Sequence, residues 1–86
     1  MKVLIETKEK EGLESLLGQE VTFFCINYIY VGKLVGINAD CIKLENPKIV
    51  YETGSFKESY WKDAQLLPHK YFYISRQSIE SFGIMK

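Results

Sequence analysis

The chain has 86 residues, enough for one domain, and 47% of them are hydrophobic, with six Tyr, five Phe and one Trp. This composition excludes a disordered chain and is typical of a β-rich domain. Eleven basic and eleven acidic residues give a formal net charge of zero, which argues against a protein that holds nucleic acid through overall positive charge. Nucleic-acid binding then requires basic groups gathered on one face, because the local field steers a polyanion.

The first predicted element is a short helix over about 6–17. Its residues are charged and then amphipathic, with Leu13, Leu16 and Leu17 spaced for one helical face and a glycine after them. The next element, over 21–31, is dense in β-branched and aromatic residues, and both of its alternating faces are apolar. This pattern predicts one strand that is covered on both faces.

The rest of the chain reads as short strands separated by turn signals. Gly32 and Gly36 predict sharp bending or a close approach of two backbones, and Asn46-Pro47 predicts a turn, a bulge or an edge position. A second, curled strand is predicted around residues 33–35, and the extended pattern continues over 41–45 and 49–52. Aromatic and apolar residues recur over 59–67, and the last two strands are predicted over 71–75 and 78–84, which makes about five short strands in all. Together these elements predict a mostly β domain. A strongly bent five-stranded barrel over about 20–84 is the expected architecture, because a barrel leaves no strand edge exposed.

Several functions are excluded by what the sequence lacks. Cys25 and Cys41 lie far apart in apolar runs and His69 is the single imidazole, so we expect no metal, no cofactor and two buried, reduced thiols. Scattered carboxylates and the lack of a phosphate-binding glycine loop predict that the protein is not an enzyme. The apolar runs are too short for a signal peptide or a membrane span, which predicts a soluble, cytoplasmic protein without a membrane partner.

Two groups of residues resemble the paired motifs of the Sm and LSm proteins, including the bacterial Hfq branch. The first group consists of Leu16, Leu17, Gly18, Val21, Tyr30, Gly32, Leu34, Ile37, Asn38 and Leu44. The second is the segment Ile74-Ser75-Arg76-Gln77-Ser78-Ile79. The turn after Asn38 is one residue shorter than the family turn and lacks its aromatic residue and its asparagine, and the Arg and Gly of the second family motif fall on Ser75 and Arg76.

The resemblance implies one Sm-like domain over 1–86 with an SH3-like barrel. It also implies a homo-oligomeric ring, in which the fourth strand of one subunit pairs with the fifth strand of the next. Single-stranded RNA, or alternatively DNA, is then bound around the pore by the two motif turns. The residues placed there are Asn38, Asp40, Ser75, Arg76 and Gln77; solvated turn residues are the alternative interpretation.

Two further surfaces are predicted from aromatic and apolar residues. The last two predicted strands lack proline, and such edges pair with another chain unless something covers them. The predicted subunit interface consists of Tyr71, Phe72, Tyr73, Ile74, Ile79 and Phe82. A second surface for stacking bases would use Phe23, Tyr28, Tyr30, Tyr60 and Trp61, for which packing in the core or in an interface is the alternative.

Two hypotheses about function follow. The first is a ring-forming, Sm-like protein that binds single-stranded nucleic acid and acts in RNA or DNA processing or regulation. The second is a non-enzymatic assembly or adaptor subunit that binds protein through the barrel surface. The zero net charge favours the adaptor hypothesis, and the motif spacing favours the nucleic-acid hypothesis. A salt titration separates them, because affinity for nucleic acid falls steeply as salt rises and affinity for a protein partner at an aromatic surface changes little.

Overall fold

The computed structural model describes residues 11–85, which form one antiparallel sheet of six strands. The strands are β1 (Glu20–Cys25), β2 (Ile29–Ile37), β3 (Cys41–Glu52), β4 (Asp63–Leu66), β5 (Tyr71–Ser75) and β6 (Ile79–Ile84). Their order in the sheet is β4-β3-β2-β1-β6, and β5 pairs with β3 beside β4. The prediction of a mostly β chain is therefore confirmed. No helix within 11–85 combines the length and the apolar character needed to cross a membrane.

The predicted N-terminal helix is not found where the chain is described. Residues 6–10 of the prediction lie outside the described residues, and over 11–17 there is only a 3-10 turn at Glu14–Leu16. Glycines with positive φ, Gly12 at 86° and Gly18 at 88°, flank this turn. Because a left-handed residue interrupts a helix, only one turn fits between them.

The three leucines of the predicted helical face have different surroundings. Leu13 is buried in the core and Leu16 packs against that core. Leu17 is 48% exposed, because the chain leaves the 3-10 turn before a third leucine can face inward. The leucine pattern thus predicted correctly that this segment covers the core, and it predicted the wrong local structure.

The prediction of one strand over 21–31 is wrong, because a turn at residues 26–28 separates β1 from β2. Cys25 N donates to Tyr28 O at 2.9 Å across this turn. Ile26 and Tyr28 are apolar and yet exposed. Asn27 is the single polar residue of this turn. The turn could not be predicted because the residues around Asn27 are apolar, as in a strand.

The predicted strands 41–45 and 49–52 form the single strand β3, which contains a bulge. Asn46 has a φ of 53°, and at Asn46-Pro47 β3 has one more residue than the facing part of β2. The first half of β3 pairs with β5 and the second half pairs with β4. The bulge alternative predicted for Asn46-Pro47 is confirmed, and the bulge divides β3 between two partners.

The sheet is bent but is not closed into a barrel, so the prediction of a closed five-stranded barrel is wrong. Among the described residues β6 pairs only with β1, and β4 and β5 pair only with β3. A second 3-10 turn, Arg76–Ser78, connects β5 directly to β6 without pairing them. Both ends of the sheet are therefore open edges.

The core lies on one face of the bent sheet. Its buried side chains are Leu13, Val21, Phe23, Leu34, Ile42, Leu44 and Ile74. A Cβ on Gly32 would lie 3.3 Å from Leu44 Cβ and 3.3 Å from Glu45 O, which confirms the predicted close approach of two backbones.

The opposite face of β1 is covered by the loop between β3 and β4. Thr22 is buried, and Trp61 Nε1 donates to Thr22 Oγ1 at 3.0 Å. Phe24 packs edge-to-face against Trp61, with ring centroids 5.9 Å apart. The prediction of cover on both faces is confirmed for β1, where a loop provides the second cover, but not for all of 21–31, since Ile26 and Tyr28 are exposed.

Candidate nucleic-acid interface

The two turns that carry the motif residues lie side by side. One is the turn at residues 38–41 between β2 and β3, and the other is the 3-10 turn Arg76–Ser78. Arg76 N donates to Asp40 O at 2.9 Å, and Arg76 Nη1 donates to Asn38 O at 2.9 Å. One arginine therefore joins two segments that are 38 residues apart.

Asn38 builds the first of these turns. Its Oδ1 accepts from the backbone N–H of Asp40 and of Cys41, each at 2.8 Å. Asn38 N donates to Cys41 O at 3.0 Å. This is the side-chain geometry that makes asparagine a common turn residue, and it fixes the exposed Asp40 next to Arg76.

Asn38→Ala is expected to lower the free energy of unfolding by about 1 kcal/mol, because two backbone donors lose their acceptor and turn to water. Urea unfolding followed by circular dichroism measures this loss. Asn38→Asp keeps an acceptor at the same position and is expected to retain most of the stability. Equal losses in the two variants would contradict the role given to Oδ1.

Arg76 is half-buried, whereas its neighbours Ser75 and Gln77 are exposed. Ser78 Oγ donates to Ser75 O at 2.8 Å and closes the 3-10 turn. A guanidinium has five N–H donors, so the bond to Asn38 O leaves others for an anion or a base edge. We call Asn38, Asp40, Ser75, Arg76 and Gln77 together the two-turn surface.

A second cluster lies on the β3–β5 ladder, and its central residue, Lys43, was not predicted from the sequence. Lys43 Nζ lies 4.0 Å from the ring centroid of Tyr71 and 5.8 Å from that of Tyr73. Lys70 Nζ lies 5.7 Å from the Tyr71 ring. The signal available in the sequence was the alternation Tyr71, Tyr73, Ser75 on one face of a strand, but the partner strand that adds Lys43 was not readable from it.

Neither a family model nor a curated protein or solved structure matches the chain. The resemblance to the Sm and LSm proteins therefore rests on the two motifs and stays a prediction. The geometry contributes a separate observation, which is the contact between the two turns.

The five aromatic residues proposed as a second base-stacking surface do not form one surface. Phe23 is fully buried in the core, so the core alternative applies to it and it is removed from the proposed surface. Tyr28 and Tyr30 pack together on the β1–β2 hairpin, with ring centroids 6.1 Å apart. Tyr60 is exposed and Trp61 is half-buried in the loop between β3 and β4.

The residues of the predicted subunit interface also divide by burial. Ile74 is only 5% exposed and its side chain belongs to the core, so only its backbone is left for pairing with another copy. Phe72 and Ile79 are half-buried against the core. Of the predicted set, Tyr71, Tyr73 and Phe82 present exposed side chains, on the two strands that have open edges.

Both cysteines are free thiols, as predicted, but they are half-buried and not buried. Cys25 faces the core beside Ile79, and burial raises the pKa of its thiol above the usual value. The thiol is therefore held neutral at physiological pH, which makes it a poor nucleophile.

Proposed function

We propose that this chain is an Sm-like protein that forms a ring and binds single-stranded RNA on the two-turn surface. The observation that carries the proposal is the pair of hydrogen bonds from Arg76 to the opposite turn. They bring the functional groups of two distant motifs to one place, as a shared binding site requires.

The chemistry of the two-turn surface suits a nucleotide. The guanidinium of Arg76 presents a planar fork of donors to phosphate or to a guanine edge. The amides of Asn38 and Gln77 both donate and accept, and Asp40 accepts from an exocyclic amine while it repels phosphate. A single strand with unpaired base edges matches this set better than a duplex does, and a contact to the 2′-hydroxyl would separate RNA from DNA.

The open edges of the sheet support assembly. The free edges of β5 and β6 differ from each other, so pairing one with the other on the next copy is a heterologous contact, and such contacts form rings when they close. Exposed Phe82 and Ile84 on β6 would gain cover from a neighbouring strand. A ring also repeats Arg76 around one pore, so modest single contacts add through multivalency although the net charge is zero.

One observation favours the adaptor function instead. An apolar cleft of about 230 Å³ opens beside β6 and the loop between β3 and β4, lined by residues that include Phe24, Phe56 and Trp61. Phe56 at its rim is 73% exposed, and exposed aromatic patches are common in protein interfaces. A protein partner bound there would respond little to salt.

Arg76→Ala is expected to weaken RNA binding at least about tenfold, the equivalent of one charge-assisted hydrogen bond. Fluorescence anisotropy with labelled oligo-U and oligo-A at several salt concentrations measures the change. Arg76→Lys keeps the charge without the planar fork and should give an intermediate affinity. Lys57→Ala removes a charge in the loop between β3 and β4, outside the two-turn surface, and should behave like the wild type.

Two results would contradict this proposal. If the wild type binds neither RNA, or binds with no dependence on salt, the adaptor function becomes the better explanation. If Arg76→Ala binds as tightly as Lys57→Ala, the two-turn surface is not the binding site even when a ring forms.

A further inference from the structure

We propose that the outward face of the β3–β5 ladder stacks bases of the same single strand and leads it to the two-turn surface. This inference rests on the proposed function. The face consists of Lys43, Lys70, Tyr71 and Tyr73, which we call the Tyr–Lys face.

The register of the ladder places these side chains together. Tyr73 lies opposite Lys43 and Tyr71 lies opposite Glu45. Phe72 and Ile74 alternate with the tyrosines and point to the core side. Since successive side chains of a strand leave opposite faces, both tyrosines stand on the outer face, where Tyr73 is 59% exposed.

A glycine on the neighbouring strand makes room for the lysine. Gly36 pairs with Lys43, and a Cβ on Gly36 would come within 3.2 Å of Lys43 Cβ. The lysine stem is half-buried on the sheet, and its ammonium group lies 4.0 Å from the Tyr71 ring centroid. A cation held against a ring, beside a second exposed ring, is the combination that binds a phosphate and stacks a base.

The charges on this side of the sheet answer the objection that the net charge is zero. The ammonium group of Lys43 lies near both tyrosine rings, and that of Lys70 lies near the Tyr71 ring. Lys33 on β2 pairs with Glu45 on one side and with Glu20 on the other. Three lysines and two glutamates therefore share this region, which leaves an excess of one positive charge. This charge complements a polyanion and favours nucleic acid over a neutral apolar partner.

The Tyr–Lys face continues into the two-turn surface. Ser75 pairs with Cys41 as the next outward position of the ladder, and the bond from Arg76 N to Asp40 O follows it. From Tyr71 to Ser75 the strand extends about 13 Å at about 3.3 Å per residue. A strand added at the free edge of β5 lies in the plane of the sheet, so it would contact the flanks of these perpendicular side chains and leave their outer ends accessible.

Photo-crosslinking with 5-iodouracil-substituted RNA, followed by mass spectrometry of the wild-type assembly, tests the contact directly. Crosslinks at Tyr71 or Tyr73 are expected. Tyr73→Ala is expected to weaken binding of labelled oligo-U at least about fivefold, the lower limit for loss of one stacked base, with no change in the salt slope. Lys43→Gln should reduce the salt slope by about one.

The matched control is Tyr51→Ala, since Tyr51 is 58% exposed and lies in the second half of β3, away from this face. If Tyr73→Ala binds like Tyr51→Ala and crosslinks appear only near Arg76, the Tyr–Lys face is wrong and the proposed function stands. If the wild type crosslinks at Tyr73 and the Arg76→Ala variant binds RNA as tightly as the wild type, the Tyr–Lys face is supported and the two-turn surface is not part of the binding site. If the wild type does not bind RNA, both proposals fail.

Discussion

Light scattering after size exclusion is expected to give a discrete assembly of at least about five copies, because the proposed pairing of two different open edges is a heterologous contact that forms a ring when it closes. Ile84→Lys is expected to reduce this mass to that of a monomer. Ile84 is 51% exposed on the edge strand β6, so a lysine is tolerated in the monomer. In the assembly the lysine would lie against a neighbouring strand, and inward charges on edge strands prevent such pairing.

Val35→Lys is the matched control, since Val35 is an exposed residue of β2, which has a paired strand on each side. This variant should keep the mass of the wild type, and both variants should keep the wild-type circular dichroism spectrum. A monomeric wild type would remove the pore and leave a lone bent sheet. An unchanged mass for Ile84→Lys would place the contact between copies somewhere other than at β6.

Phe23→Ala is expected to lower the free energy of unfolding by about 3–5 kcal/mol, the usual result of removing a buried phenylalanine ring. Phe23 is fully buried at the centre of the core, and its ring also packs on Phe82 at 6.3 Å. Domains are commonly stable by only about 5–15 kcal/mol, so this one substitution removes a large part of the total. Urea unfolding at one fixed protein concentration measures this loss, because the proposed assembly would make stability depend on concentration.

Phe56→Ala makes the same chemical change at a residue that is 73% exposed, and it should change stability by less than about 0.5 kcal/mol. If Phe23→Ala does not fold, Phe23→Leu retains most of the apolar volume and should show a smaller, measurable loss. Equal effects of Phe23→Ala and Phe56→Ala would contradict the position of the core.

Some features of the site follow from local sequence. Asn38 and Asp40 were predicted as turn residues, and they lie between β2 and β3 in the structure. Ser75 and Arg76 of the second motif lie where β5 ends and the 3-10 turn before β6 begins. Such positions can be predicted because turn chemistry acts within a few residues. The family resemblance implied that both turns bind RNA around the pore, and their direct contact through Arg76 is shown only by the structure.

Other features depend on contacts between distant segments. Trp61 was a candidate base-stacking residue by its type, and in the structure it covers Thr22 from a loop 39 residues away. Lys43 was not singled out, since its importance comes from the tyrosines of a strand that pairs with its own. A single sequence records the residue types at such positions but not their partners.

The amino-acid sequence by itself determined that this chain forms a β-rich domain, that it turns at residues 38–40 and that Asn46-Pro47 is a turn, a bulge or an edge position. Only the tertiary structure decided that the sheet stays open, that Phe23 is core and that lysines and tyrosines share one face. The physical reason is that alternation and turn propensity are local properties of the chain. Closure, burial and shared faces are set by long-range strand pairing, which no local pattern specifies.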